Sequence, residues 1–228
     1  MNRPFLQWPG WPYLRFAWLL SSLSGAWFAL VYLGCEWITA QRVLRVPVHL
    51  PFELFIPLFP PALLFYMSIY LLFLAGPFVV RDRRAFRVLI CALAVTTLAG
   101  GIGFLLLPSS AAFPPPGDLG VWAGLYRLAD RMNLDYNMVP SLHVALSVCC
   151  IMAYAKYASH VGRMLLWSWG AAIAVSTVLT HQHHLVDAMS GWVLGTTAFR
   201  VSGVWDARRQ ECGVNAVPGA AAPVRHDA

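Results

Sequence analysis

The sequence predicts an all-α polytopic membrane protein of six transmembrane helices, and three observations carry that prediction. Of its 228 residues 59% are hydrophobic and only 11% charged, against about 25% charged in soluble domains. Several apolar runs approach or exceed the ~18 residues that mark a bilayer-spanning helix. The basic residues gather at the edges of those runs, as in Arg81-Asp82-Arg83-Arg84. The net charge of +6 therefore reads as positive-inside topology and not as nucleic-acid binding, because no basic patch is interleaved with exposed aromatics. The five cysteines are an odd number, and Cys91, Cys149 and Cys150 fall inside apolar runs. They read as small buried hydrophobes without a disulfide framework.

Residues 1–14 carry Trp8, Trp11 and Tyr13, side chains suited to a membrane–water interface. The first span covers about 15–35; its apolar run exceeds a signal peptide's ~7–15 residues and no small-residue cleavage site follows. Residues 51–61 are apolar but broken by Pro51, Pro57, Pro60 and Pro61. A regular helix there would lose backbone hydrogen bonds, which is costly in lipid, so the stretch reads as interfacial or re-entrant. Span two covers about 61–80. Span three covers about 86–107, where Gly100, Gly101 and Gly103 would let a neighbouring helix approach closely. A Pro-rich connection at 108–139 is the longest, and loops of that length are usually functional or disordered. Spans four, five and six cover about 141–158, 164–179 and 185–203. They complete a membrane domain of 15–203 with its core at 86–203, followed by a polar tail at 204–228 expected to be disordered.

The basic residues test this topology. With six spans both termini share a side, and only Arg42, Arg45, Arg127 and Arg131 of the 16 Lys and Arg lie on the other. That bias places the termini in the cytoplasm. It also puts the start of span four and the turn at 180–187 together on the non-cytoplasmic face.

Those two places hold the chain's polar clusters, Pro140-Ser141-Leu142-His143 and Thr180-His181-Gln182-His183-His184-Leu185-Val186-Asp187. On a helix His183 and Asp187 share a face at i and i+4. The carboxylate can then accept one ring N–H and leave the other nitrogen as a nucleophile. His143 suits a general acid for a leaving alkoxide, a role typically worth ~10²–10⁴ in rate. Ser141, opening span four, is either an ordinary helix cap or part of an anion site at a helix N-terminus. Arg127 and Arg131 are the cations in the long loop on this face, and they are either solvated charges or phosphate ligands. Three histidines with Asp187 also match a zinc set in composition. No His-Glu-x-x-His helix is present and residues 183 and 184 point apart, so neither metal nor cofactor is expected. Gly191 and Gly195 are spaced for close helix packing.

Pro140-Ser141-Leu142-His143 resembles the Pro-Ser-Gly-His motif of the type 2 phosphatidic acid phosphatase superfamily. That family's second signature is Ser-Arg, five residues, His, three residues, Asp; Ser176, His183 and Asp187 fall at its positions. The resemblance covers roughly 86–203 and implies a helical bundle with His183 as nucleophile, His143 as general acid and Asp187 orienting His183. By the same matching Ser176 and Thr177 would lie where the substrate phosphate is held. Two positions depart from the pattern: the signature Arg is Thr177, and the first motif (Lys, six residues, Arg-Pro) has no match. A relaxed signature that keeps the His-His-Asp trio is most similar to the inositol phosphorylceramide synthase and sphingomyelin synthase branch. The resemblance thus implies a metal-independent membrane enzyme whose partners are lipids: a phospholipid donor, with a lipid alcohol or water as acceptor. A lipid phosphatase, a proton-coupled transporter, an inactive scaffold and a metal-dependent hydrolase are the rival expectations. Oligomeric state is not legible, since glycine-rich faces serve packing within and between chains alike.

Overall fold

The structure, a computed structural model, describes residues 4–215, with side chains as far as residue 208. Its elements are α1 (Trp11–Ala40), α2 (Leu63–Met67), α3 (Ile69–Val79), α4 (Arg83–Leu106), α5 (Ala123–Asn133), α6 (Leu142–Tyr154), α7 (His160–Leu179) and α8 (Leu185–Asn215). Short 3-10 turns lie at Pro51–Phe55, Pro60–Ala62 and Gly120–Trp122. No strand occurs among the described residues. Four stretches are long and apolar enough to cross a membrane: Trp11–Ala40, Pro60–Val79, Arg83–Leu106 and His160–Leu179. Leu142–Tyr154 is apolar but shorter.

The helix starts follow local chemistry. Asp82 Oδ1 accepts the Ala85 N–H at 2.7 Å and opens α4. Ser141 and Ser159 cap α6 and α7 in the same way, each satisfying an N–H that the helix leaves without a partner. Pro sits in the first turn of α1, where its missing N–H costs nothing.

α6 is the axis of the bundle. Nearly all its residues are buried, and α3, α4, α7 and α8 surround it. α8 reaches it through two glycines. A Cβ at Gly191 would lie 2.4 Å from the Ser141 carbonyl oxygen, and one at Gly195 would lie 2.3 Å from that of Ala145. Only hydrogen fits there, so the packing role read from the Gly191/Gly195 spacing is what the fold uses. α4 closes on the same region, with Gly100 against Leu142 and Gly103 against Pro140. At the opposite end, the Tyr13 hydroxyl donates to the Val80 carbonyl and that of Tyr154 to the Leu72 carbonyl.

Three expectations need correction. The polar tail does not begin at 204, because α8 continues to Asn215. Val204-Trp205-Asp206-Ala207-Arg208 contains no proline to stop it, and Asp206 Oδ2 holds Arg84 Nε at 2.6 Å. Residues 216–228 lie outside the described residues, as do residues 1–3 of the N-terminal segment. Within the expected 1–14 segment, residues 11–14 already belong to α1. The connection at 108–139 is not a plain loop either, since it contains α5, amphipathic with Tyr126 and Ala129 buried against Leu63 and Tyr66.

Candidate active site

The turn between α7 and α8 is built by backbone bonds before any side chain acts. His181 N–H donates to Val178 O and Gln182 N–H to Thr177 O, each at 3.0 Å, with His181 left-handed at φ 59°. This is a Schellman ending, in which the two residues after the cap satisfy the last carbonyls of the helix. His183 N–H also donates to Thr177 O at 3.0 Å. Thr177 therefore fixes His183 through its carbonyl. Its hydroxyl, like that of Ser176, donates to the carbonyl three residues back.

α8 then starts at Leu185, and Asp187 reaches back so that Oδ2 accepts the His184 N–H at 2.8 Å. That is one half of a capping box. The same oxygen lies 3.5 Å from His183 Nδ1, both side chains being at most 2% exposed. His183 Nδ1 and Asp187 Oδ1 have no hydrogen-bond partner. The imidazole thus faces a carboxylate held in place by its own helix. Nε2 is left as the outward nitrogen.

The second cluster is joined directly to the first. Ser141 N–H donates to the Asp187 carbonyl at 3.0 Å, and Ser141 Oγ accepts the Val144 N–H. Ser141 is buried and serves as cap and connector. Two residues on, the His143 ring stacks on Tyr66 at 3.9 Å and 12°, with Nε2 2.7 Å from the Tyr66 carbonyl. The carbonyl can only accept, so Nε2 carries the proton and Nδ1 is the nitrogen that exchanges one with a substrate.

His143 and His183 line one cavity of about 370 Å³. The other predicted site residues do not line it. Ser141, Ser176 and Thr177 are buried in the helix ends around it. Arg127 and Arg131 are exposed on α5, and Arg127 lines a separate polar pocket with Asp118 and Asp130. Among the described residues no Lys or Arg lines the histidine cavity.

The structure adds residues that the sequence reading passed over. Glu53, fully buried in the Pro51–Phe55 turn, accepts from Leu50 N–H, from Leu185 N–H and, at 2.9 Å, from His184 Nδ1. His184 Nε2 accepts the Ala112 N–H at 3.1 Å, which assigns its proton to Nδ1. Phe113 stacks on His181 and His184 at 4.1 and 4.4 Å, and His181 Nε2 lies 3.0 Å from the Ile56 carbonyl. Burial pushes the pKa of His184 below the usual histidine range against the pull of Glu53, and that of His181 falls for the same first cause. His181 and His184 therefore act as clamps that bind two loops to the turn. A lone Glu in a proline-rich apolar run was the one signal that could have pointed to Glu53. Among the described residues no group of three or more His, Cys, Asp or Glu is arranged to hold a metal ion.

An all-helical bundle with four helices long and apolar enough to cross a membrane, and with two histidines lining one largely apolar cavity, fits the class of integral membrane proteins. The family model of the PAP2 superfamily matches residues 20–201, most of the chain, and the protein belongs to that superfamily. Its members are phosphatases and phosphotransferases that act on lipid substrates in membranes, and membership suggests that activity class here. No curated protein and no solved structure matches the chain.

Proposed function

We propose that the protein is a six-span lipid phosphotransferase working through a phosphohistidine at His183. The observation that carries this reading is the pairing of His183 with Asp187 at one end of a cavity that His143 also lines. Asp187 accepts the Nδ1 proton, and His183 Nε2 attacks phosphorus. The phosphorus–oxygen ester bond breaks, and the leaving alkoxide takes the Nδ1 proton of a His143 that enters the reaction doubly protonated, leaving the neutral ring with its Nε2 proton on the Tyr66 carbonyl. In the second half an acceptor hydroxyl gives its proton to His143 as its oxygen attacks phosphorus, and the phosphorus–nitrogen bond breaks. No cofactor enters the scheme. Both termini lie in the cytoplasm and the site faces the other side, as the basic-residue bias requires.

The acceptor is a lipid hydroxyl, so the reaction is headgroup transfer of the inositol phosphorylceramide synthase type. Two features favour it over water: the cavity is walled mainly by apolar side chains, and it lacks the cations that the phosphatase pattern supplies. Excluding water from a phosphohistidine protects it from hydrolysis. Hydrolysis of lipid phosphates is the second reading, favoured by the wider superfamily.

The test compares wild type with His183→Ala in vesicles containing headgroup-labelled phosphatidic acid, phosphatidylinositol and an alcohol-bearing acceptor lipid. New phospholipid from wild type alone supports transfer, and free phosphate alone means hydrolysis. Equal signals from both proteins would remove His183 from the chemistry.

A further inference from the structure

The histidine cavity is not a shallow cleft, and its nitrogen-bearing side chains gather at one end. His143, His183, Asn133, Asn137 and Tyr32 line one end, whereas Leu89, Ile90, Phe86 and Gly76 line the other. Three helices measure the distance between the ends. The lining runs from residue 21 to 32 on α1, from 86 to 97 on α4 and from 142 to 154 on α6. At 1.5 Å per residue each stretch is about 16–18 Å long.

The far end is closed. Phe86 and Tyr154 are buried, the Tyr154 hydroxyl is tied to the Leu72 carbonyl, and Gly76 fits closely against both rings, where an added Cβ would sit 3.2 Å from the Tyr154 hydroxyl. The α1 side is thin. Ser21, Ser24 and Gly25 line it at helical spacing, and the Gly25 position has nothing within 4 Å. α1 leans along α4 and meets α3 only sparsely, which leaves a way in from the bilayer.

A space of this size and polarity calls for an occupant. An engineered apolar cavity of about 150 Å³ stays dry and takes up apolar ligands; this one is about 370 Å³, and voids cost stability in proportion to their volume. Its polar end holds the groups for phosphate chemistry and its blind end holds none.

We propose that the cavity receives a single hydrocarbon chain of the phosphate-bearing lipid and meters its length, with Phe86, Tyr154 and Gly76 as the stop. An extended chain advances roughly 1.2 Å per bond, since three backbone bonds span about 3.6 Å. The depth therefore accepts about 14 bonds beyond the ester. Selection works by rejecting longer chains. A chain leaving lipid for an apolar cavity gains little from the transfer itself, so shorter chains are not strongly penalised. A chain that overruns the stop must fold back or draw the phosphate away from His183. The proposal rests on the phosphoryl-transfer reading of the His143–His183 end.

The test uses the full-length protein in detergent with an alcohol-bearing acceptor lipid and alkyl monophosphates of 8 to 22 carbons, one of them a tetradecyl phosphate with a diazirine at its terminal carbon; turnover is read as loss of the alkyl phosphate ester. Photolysis should label the peptides containing Gly76, Phe86 or Tyr154, with unlabelled tetradecyl phosphate competing. Turnover should stay nearly level up to about 14 carbons and fall at least tenfold by 20. Leu93→Trp, which fills the shaft midway, should move that fall to shorter chains. If the variant does not fold, the wild-type label map decides. Labels scattered over the outer faces of α1 and α3, a turnover profile flat to 22 carbons, or equal labelling of the stop by the matching phosphate-free alcohol would each overturn the metering. Labelling of the stop with the alkyl phosphate ester left intact, neither transferred nor hydrolysed, would keep the chain site and sink the phosphoryl-transfer reading; cleavage of the ester with scattered labels would do the reverse.

Discussion

Asp187 does two jobs with one carboxylate, and they can be separated. Its Oδ2 caps the His184 N–H and faces His183 Nδ1. Asp187→Asn keeps an oxygen for the cap but loses the charge that orients and supports the imidazole. Thermal stability in detergent should stay within about 1 kcal/mol of wild type, while turnover should drop steeply, by about 10⁴-fold if the pair behaves as the aspartate–histidine pair of a serine protease does when its aspartate is neutralised. Unchanged turnover would remove the paired-histidine mechanism. His184 gives a second residue-level prediction. Burial favours its neutral form in the fold, so the unfolded chain binds more protons as pH falls through about 6.5. Stability should be level above pH 7 and decline below 6.5, with His181 adding the same sign. His184→Asn, which keeps a donor toward Glu53, should flatten that decline in thermal melts; an unaltered slope would assign it to other groups.

Among the elements, the contact of α8 with α6 is the least forgiving. Gly191 and Gly195 stand against backbone carbonyls, which cannot swing aside as a side chain can. Gly191→Ala should therefore push α8 off the start of α6, lower the melting temperature and separate Asp187 from Ser141. Overpacking of this kind typically costs about 1–3 kcal/mol, and activity should fall with it; a variant as stable and active as wild type would mean that the two helices are not packed as described. This contact was legible in the sequence, because four-residue glycine spacing and i, i+4 side-chain pairing are set by helix geometry alone. The His183–Asp187 pair was legible for the same reason. The clamp made by Glu53, His184 and Phe113 was not, since it joins residues 53, 112–113 and 184, and no local pattern announces such distant partners. α5 was hidden because its span of 11 residues sits in a proline-rich connection, and the place of the Ser176 and Thr177 hydroxyls was not legible because such hydroxyls can turn back onto their own helix, as both do here. α6 is also shorter than its apolar run suggested. Its 13 residues rise about 20 Å, less than a ~30 Å hydrocarbon core, so one of its ends stops within that thickness.

For the whole molecule, topology and chemistry make one linked claim. In the proposed topology the 108–139 connection and the turn at 180–187 lie on the face opposite the termini, the arrangement that the basic-residue bias favours. In a cysteine-free background, Asp118→Cys should react with a membrane-impermeant maleimide in intact cells, and Arg163→Cys only after permeabilisation. The reverse pattern would invert the protein and put its site in the cytoplasm. The central claim is that phosphate passes through His183. Its most direct measurement is to mix purified protein with a labelled lipid phosphate, quench within one turnover in alkali, and locate the phosphate by peptide mass spectrometry. The account predicts an acid-labile, alkali-stable phosphate on His183, absent in His183→Ala and building up in His143→Ala whenever breakdown of the intermediate slows more than its formation. Turnover by wild type with no phosphate on His183, or with label on another residue, would contradict it.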